Sequence, residues 1–154
     1  MTTPSMSKIR AALVVAAVAL ASQSPVLHAQ DQTLRSQVNV PFAFEVGSVH
    51  FAPGTYTLSS PREFVLSVQG THGKALAMNQ REKSLSPATN GKVVFYKYGD
   101  RYLLREVWAK GSTDHLCCPE SKAEYRVRKI EQAANHASIA TPTNVEIALL
   151  ENPR

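Results

Sequence analysis

The stretch Val93-Val94-Phe95-Tyr96-Lys97-Tyr98-Gly99-Asp100-Arg101-Tyr102-Leu103-Leu104-Arg105-Glu106-Val107-Trp108 decides the fold. Two runs rich in β-branched and aromatic residues flank a Gly-Asp pair. That is the pattern of a β-hairpin, and glycine in the first turn position fits a type II′ turn. In this register Tyr98 faces Arg101, Tyr96 faces Leu103 and Val94 faces Arg105. On the other side Lys97 faces Tyr102, Phe95 faces Leu104 and Val93 faces Glu106. Both faces carry large apolar groups, so the hairpin is expected at the centre of a sheet.

On the N-terminal side, Val38, Val40, Phe42 and Phe44 alternate through VNVPFAF, the period of a strand with one face on a core. Pro41 lacks an N–H, which predicts an edge position or a bulge. Val49 and Phe51 continue the alternation. Pro53-Gly54 carries a type II turn signal, so Gly47 to Ser59 reads as a hairpin. Phe64 to Val68 is a further short strand, and Lys74 to Asn79 a strand or one helical turn. Residues 80–92 are polar and read as a loop.

After the hairpin, residues 109–120 read as a loop holding Cys117 and Cys118. Ser121-Lys122-Ala123-Glu124 matches a capping box. Ala123, Val127, Ile130 and Ala134 then recur at helical spacing, ending near Asn135 or His136. Val145, Ile147 and Leu149 predict a last strand. The whole is mainly β: a small antiparallel β-barrel or β-sandwich of six to eight strands, with one helix near the C-terminus. A βαβ alternation, which would call for a parallel sheet, is absent.

The 154 residues suffice for one domain. Residues 1–29 have the architecture of a secretory signal peptide: Lys8 and Arg10, the apolar run Ala11 to Ala21, and Ala29 before the cut. Eleven apolar residues span about 16 Å as a helix, too short for a hydrocarbon core of about 30 Å. The expected mature chain, 30–154, is a single β-rich domain with 30–37 a loose lead-in. It carries 15 basic and 12 acidic residues, so the basicity of the full chain belongs partly to the leader. No nucleic acid partner and no membrane span after cleavage are expected. The location implied is the periplasm or the exterior.

Few residues invite chemistry. Adjacent cysteines sit about 3.8 Å apart at Cα across a trans peptide, below the roughly 4.4–6.8 Å of bridged pairs. They are therefore expected not to bond to each other, and either to stay as thiols or to form an intermolecular disulfide through Cys117 or Cys118. His115 with the two thiols is the one local cluster of metal-ligand types, but adjacent thiolates aim poorly at one ion. Glu106 is the carboxylate deepest in an apolar strand. Phe95, Tyr96, Tyr98, Tyr102 and Trp108, edged by Lys97, Arg101 and Arg105, form either a ligand platform or the packing of the hairpin. Lys122, Arg126 and Lys129 line one side of the helix as a solvated stripe. No catalytic, cofactor-binding or metal residue is assigned, and no cofactor is expected.

The segments V-N-V-P-F-A-F-E-V-G from Val38 to Gly47, P-G-T-Y-T-L from Pro53 to Leu58 and V-F-Y-K-Y-G-D-R-Y-L-L from Val94 to Leu104 resemble a family of small exported proteins abundant in Acidobacteria and related soil bacteria. The resemblance covers residues 38–130 and implies export and a β-fold, with no activity attached. The adjacent cysteines depart from that family's polar loop. The function expected is that of an exported, non-enzymatic β-domain binding a partner protein or envelope component. An enzyme acting on an extracellular or envelope polymer is the alternative.

Overall fold

The computed structural model describes residues 34–134 and 141–150; the leader at 1–29 lies outside them. Eleven strands and one helix occur among these residues, arranged as a nearly closed barrel-shaped sheet with the helix against its outside. The strands are β1 (Arg35–Val40), β2 (Phe44–Val46), β3 (Val49–Phe51), β4 (Gly54–Arg62), β5 (Val65–Gln69) and β6 (Lys74–Met78). There follow β7 (Gln80–Lys83), β8 (Lys92–Tyr98), β9 (Arg101–Trp108), β10 (Asp114–Cys117), helix α1 (Lys122–Ala134) and β11 (Thr143–Leu150). Along the sheet the order is β3-β2-β9-β8-β11-β1-β4-β5-β6, with β10 joining β9 to β7. Every pairing is antiparallel except one bridge between β2 and β9, at Glu45 and Leu103.

The barrel is filled by inward residues of period two. Val38, Val40, Leu58, Leu66, Val68, Val93, Phe95 and Val107 are almost wholly buried. Phe95 is the largest of them, and Phe42 and Phe44 meet it edge-on at 5.3 Å. Phe44, Phe51 and Tyr56 extend the aromatic packing towards β4.

The β8–β9 hairpin forms as its sequence dictates near the turn: Tyr98 pairs Arg101, Lys97 pairs Tyr102, Tyr96 pairs Leu103 and Phe95 pairs Leu104. Beyond that the register slips by one, and Val94 faces Glu106 while Val93 faces Val107. The cause is in the side chains. Leu104 and Val107 both belong to the core but are three residues apart, an odd separation that an unbroken strand would place on opposite faces. A bulge at Arg105 corrects the phase, leaving Arg105 as the extra residue on β9.

Gly99 has φ +55°, as a type II′ turn requires, and the side chain of Glu131 lies over it. Gly99→Val should destabilise the domain by roughly 1–3 kcal/mol through backbone strain at this φ. Asp100→Asn should cost far less. Thermal melts of the two variants check this, and equal melting temperatures would contradict the turn assignment.

Several expectations need correcting. VNVPFAF is two strands, because β1 stops at Val40 and Pro41 follows it; β1 is interior, between β11 and β4. The lead-in is shorter than expected, since β1 begins at Arg35. Val49–Phe51 does not form a hairpin with β4: it pairs β2, and Pro53 stands at a corner between β3 and β4. Residues 80–83 and 114–117, read as loop, are strands that pair with each other. The count therefore exceeds eight. In α1, Val127 is buried, but Ile130 is 65% exposed and outside the apolar contact. Ser121 caps the helix through a bond from Glu124 N–H to its Oγ (3.1 Å). The Glu124 carboxylate does not complete the capping box and turns to β9 instead.

Candidate functional site

Among the described residues the sheet stops short of full closure: β6 and β3 end the main strand order, each with one unpaired edge, and β7, joined to β10 alone, has another. Where this seam gapes, a groove of about 240 Å³ lies between β6 on one side and β2, β9 and the start of α1 on the other. The β6 wall is apolar. Ala75 points into the core, so period two puts Leu76 and Met78 outward, at 64% and 65% exposure. Phe64, in the turn before β5, is half exposed and holds φ +62°, a conformation costly for an aromatic residue. Its carbonyl accepts the N–H of Asn79, tying that turn to the end of β6.

The facing wall carries two arginine–carboxylate pairs. Arg101 donates from Nε and Nη2 to the two oxygens of buried Glu45, both at 2.7 Å, a bidentate pair that holds the guanidinium charged. His50 Nδ1 stands 3.6 Å from the same carboxylate. Deeper, Arg105 Nη1 donates to Glu124 Oε2 (3.2 Å) and the Tyr98 hydroxyl to Oε1 (3.3 Å). Burial pushes the Glu124 carboxyl up, with Arg105 pulling the other way. Burial and the Glu124 charge push Tyr98 up to about 12. Arg105 Nε is buried without a partner. These groups meet because strand alternation puts Arg105 on the same outer face as Leu103, under the helix.

The two cysteines are free thiols on opposite sides of the sheet, as consecutive residues of an extended chain must be. Cys118 enters the core, and its N–H bonds the Arg105 carbonyl (2.7 Å). Cys117 faces outward, half-buried. Burial, with Glu82 adding, raises the Cys117 thiol to about 11; burial, with Cys117 adding, raises Cys118 to about 12. Both are weak nucleophiles at neutral pH, and only Cys117 is open to another chain.

These shifts predict an alkaline instability. Folding holds the protons of Tyr98, Cys117 and Cys118 above their ordinary values of 10, 9 and 9. The unfolded chain releases protons first, so stability is intact at neutral pH and falls as pH rises past 9. The slope is up to about 1.4 kcal/mol per pH unit for each proton retained. Urea midpoints across this range should fall, less steeply in Cys118→Ala; a flat profile would contradict the burial of these groups.

The residues singled out from sequence are scattered. Glu106 accepts the indole N–H of Trp108 (2.7 Å) and stands at no groove of the seam. Trp108 stacks on His115 at 3.8 Å, Tyr102 stacks on Phe42 at 4.0 Å, and Phe95 is core, so the aromatic set is packing. Tyr98 and Leu103 are covered by Val127 of α1. His115 lies beside Glu82 (3.8 Å), and among the described residues no group of three or more His, Cys, Asp or Glu could hold a metal ion. Nor is any helix among them long and apolar enough to cross a membrane. Sequence reasoning missed Glu45, Arg101's partner, because the two are 56 residues apart. The exposed Leu76 and Met78 were legible only as strand alternation. No protein-family model, curated protein or solved structure matches the chain.

Proposed function

We propose that the protein is an exported, non-enzymatic β-domain that holds a partner protein at its open seam by strand addition. The observation carrying this reading is the β6 edge, unpaired and flanked by exposed Leu76, Met78 and Phe64. An unguarded apolar edge is a template for pairing, and globular proteins usually blunt it with charge, proline or a bulge. Here Lys74 alone is charged on the strand. An extended segment of an envelope protein would take up the backbone groups of β6 and lay apolar side chains on this patch. Export is supported by the composition of residues 1–29 and by the resemblance to small exported proteins. The non-enzymatic reading is supported by the engagement of the buried carboxylates: Glu45 and Glu124 are both held by arginine.

The test uses the mature protein with a photo-crosslinking residue at position 78, added to envelope extract. A defined adduct, abolished by Leu76→Lys and mapped to an extended segment of the captured protein, supports the proposal. Adducts unchanged by Leu76→Lys would overturn it, as would crosslinking solely between two copies of this chain. Both exposed positions tolerate substitution with the fold intact.

A further inference from the structure

The outward side of helix α1 gathers cations that have no counter-charge. Lys122, Tyr125, Arg126, Lys129 and Ile130 are all exposed. At 3.6 residues per turn they fall within an arc of about 140°, opposite the arc that holds Glu124, Val127 and Glu131. Among the described residues Lys122, Arg126 and Lys129 have no ion-pair partner, whereas the fourth cation, Arg128, is held by Glu120 at 2.7 Å. Both carboxylates of the helix turn the other way. Glu124 is buried against Arg105 and Tyr98, and Glu131 lies half-buried over the hairpin turn at Gly99. The free face is therefore cationic with no anion interspersed, unlike a merely solvated helix, on which the two signs alternate.

Two apolar side chains flank these cations. Ile130 is 65% exposed on one side of them and Tyr125 48% exposed on the other. Arg128 and Lys129 stand over the Tyr125 ring, 5.3 and 5.8 Å from its centroid, so ring and charges form one surface. A cationic strip bordered by an aromatic ring and an aliphatic chain matches the boundary of an anionic bilayer. There phosphate groups meet lysine and arginine, tyrosine sits at headgroup depth, and an aliphatic side chain reaches the first methylenes. A soluble polyanion would use the charges and leave Ile130 without a role. At 13 residues α1 is too short and too polar to cross a bilayer, so the contact lies along the surface.

We propose that the outer face of α1 docks the protein reversibly on an anionic phospholipid surface, with Lys122, Arg126 and Lys129 on the phosphate groups and Tyr125 and Ile130 at the headgroup boundary. The proposal goes beyond the seam reading and does not depend on it. Co-sedimentation with phosphatidylcholine vesicles containing phosphatidylglycerol tests it, against phosphatidylcholine alone. The mature protein is used, so that the apolar run of the leader takes no part; Gln32–Arg154 form a compact unit of their own. Binding to the anionic vesicles is expected at millimolar lipid, and its loss at high salt, because exposed charges are screened. Lys122→Gln/Arg126→Gln/Lys129→Gln should weaken partitioning about a hundredfold, roughly fivefold for each cation, with an unchanged melting temperature. Should the triple variant disturb folding, Lys129→Gln alone should weaken binding in the same direction. Ile130→Ser should weaken it severalfold, while Leu85→Ser, at an exposed residue away from the helix, should leave it unchanged. Polyphosphate, the soluble control, should bind less tightly than the vesicles. Equal binding to neutral vesicles, no binding to anionic ones, cation or Ile130 variants that bind normally, or polyphosphate bound as tightly as the vesicles would each overturn the assignment.

Discussion

Arg105→Met is expected to destabilise the domain by about 3–5 kcal/mol at neutral pH, the range for stripping one partner from a buried ion pair. Glu124 supplies the reason. Its side chain is 4% exposed, and Arg105 is the cation that meets its charge. Burial already pushes the carboxyl up; without the guanidinium it rises further, so the folded state prefers the protonated acid. A carboxyl raised in the fold contributes least above its unfolded value and most below it. The variant should therefore regain stability on acidification towards the ordinary glutamate range. The double variant Arg105→Met/Glu124→Met should recover most of the loss, because an apolar pair of similar size replaces two desolvated charges. Urea denaturation of the single and double variants at neutral and mildly acidic pH checks the cycle. Additive losses would mean that the two side chains do not act on one another.

Phe95→Ala should cost about 3–5 kcal/mol, the range for truncating a buried aromatic residue. Phe95 is 1% exposed and stands between the edges of Phe42 and Phe44, so the space it leaves is walled by rigid rings that collapse poorly. Leu85→Ala is the matching control. Leu85 is fully exposed, and its truncation should stay within about 0.5 kcal/mol. Similar melting temperatures for the two variants would show that the barrel centre does not lie at Phe95.

The strands legible in the sequence are those with local apolar runs or alternation. β8, β9 and β5 bury two or three consecutive residues, and β11 alternates half-buried with exposed ones. β7 was illegible because Gln80–Lys83 is exposed throughout and has no apolar period. β10 has one core residue within its bounds, Leu116, too little for a pattern. The turn register near Gly99 was legible because turn chemistry is local. The slip at Arg105 was not announced by any glycine or proline. It is implied by the spacing of Leu104 and Val107 once both are known to be core, and that is a tertiary fact. The seam lay further out of reach: Glu45 and Arg101 meet only through the parallel bridge of β2 to β9, and exposure at Leu76 depends on no strand following β6 in the sheet.

The place of β11 in the strand order bears on how the chain folds. Thr143–Leu150 sits between β8 and β1, with Ile147 opposite Val93 and Leu149 opposite Val38. It is one of two links between the arm β1-β4-β5-β6 and the arm β8-β9-β2-β3, the other running from β7, directly after β6, through β10 to β9. Each arm holds a meander that local contacts can assemble early: β4-β5-β6 in one and β8-β9 in the other. Joining β1 to β8 requires a segment made more than a hundred residues after β1. High sequence separation between partners slows folding, because the loop entropy must be lost before the contacts form. During synthesis the inner edges of β1 and β8 thus stay open until the final strand is available. A chain stopped before Thr143 lacks the strand that pairs with both β1 and β8.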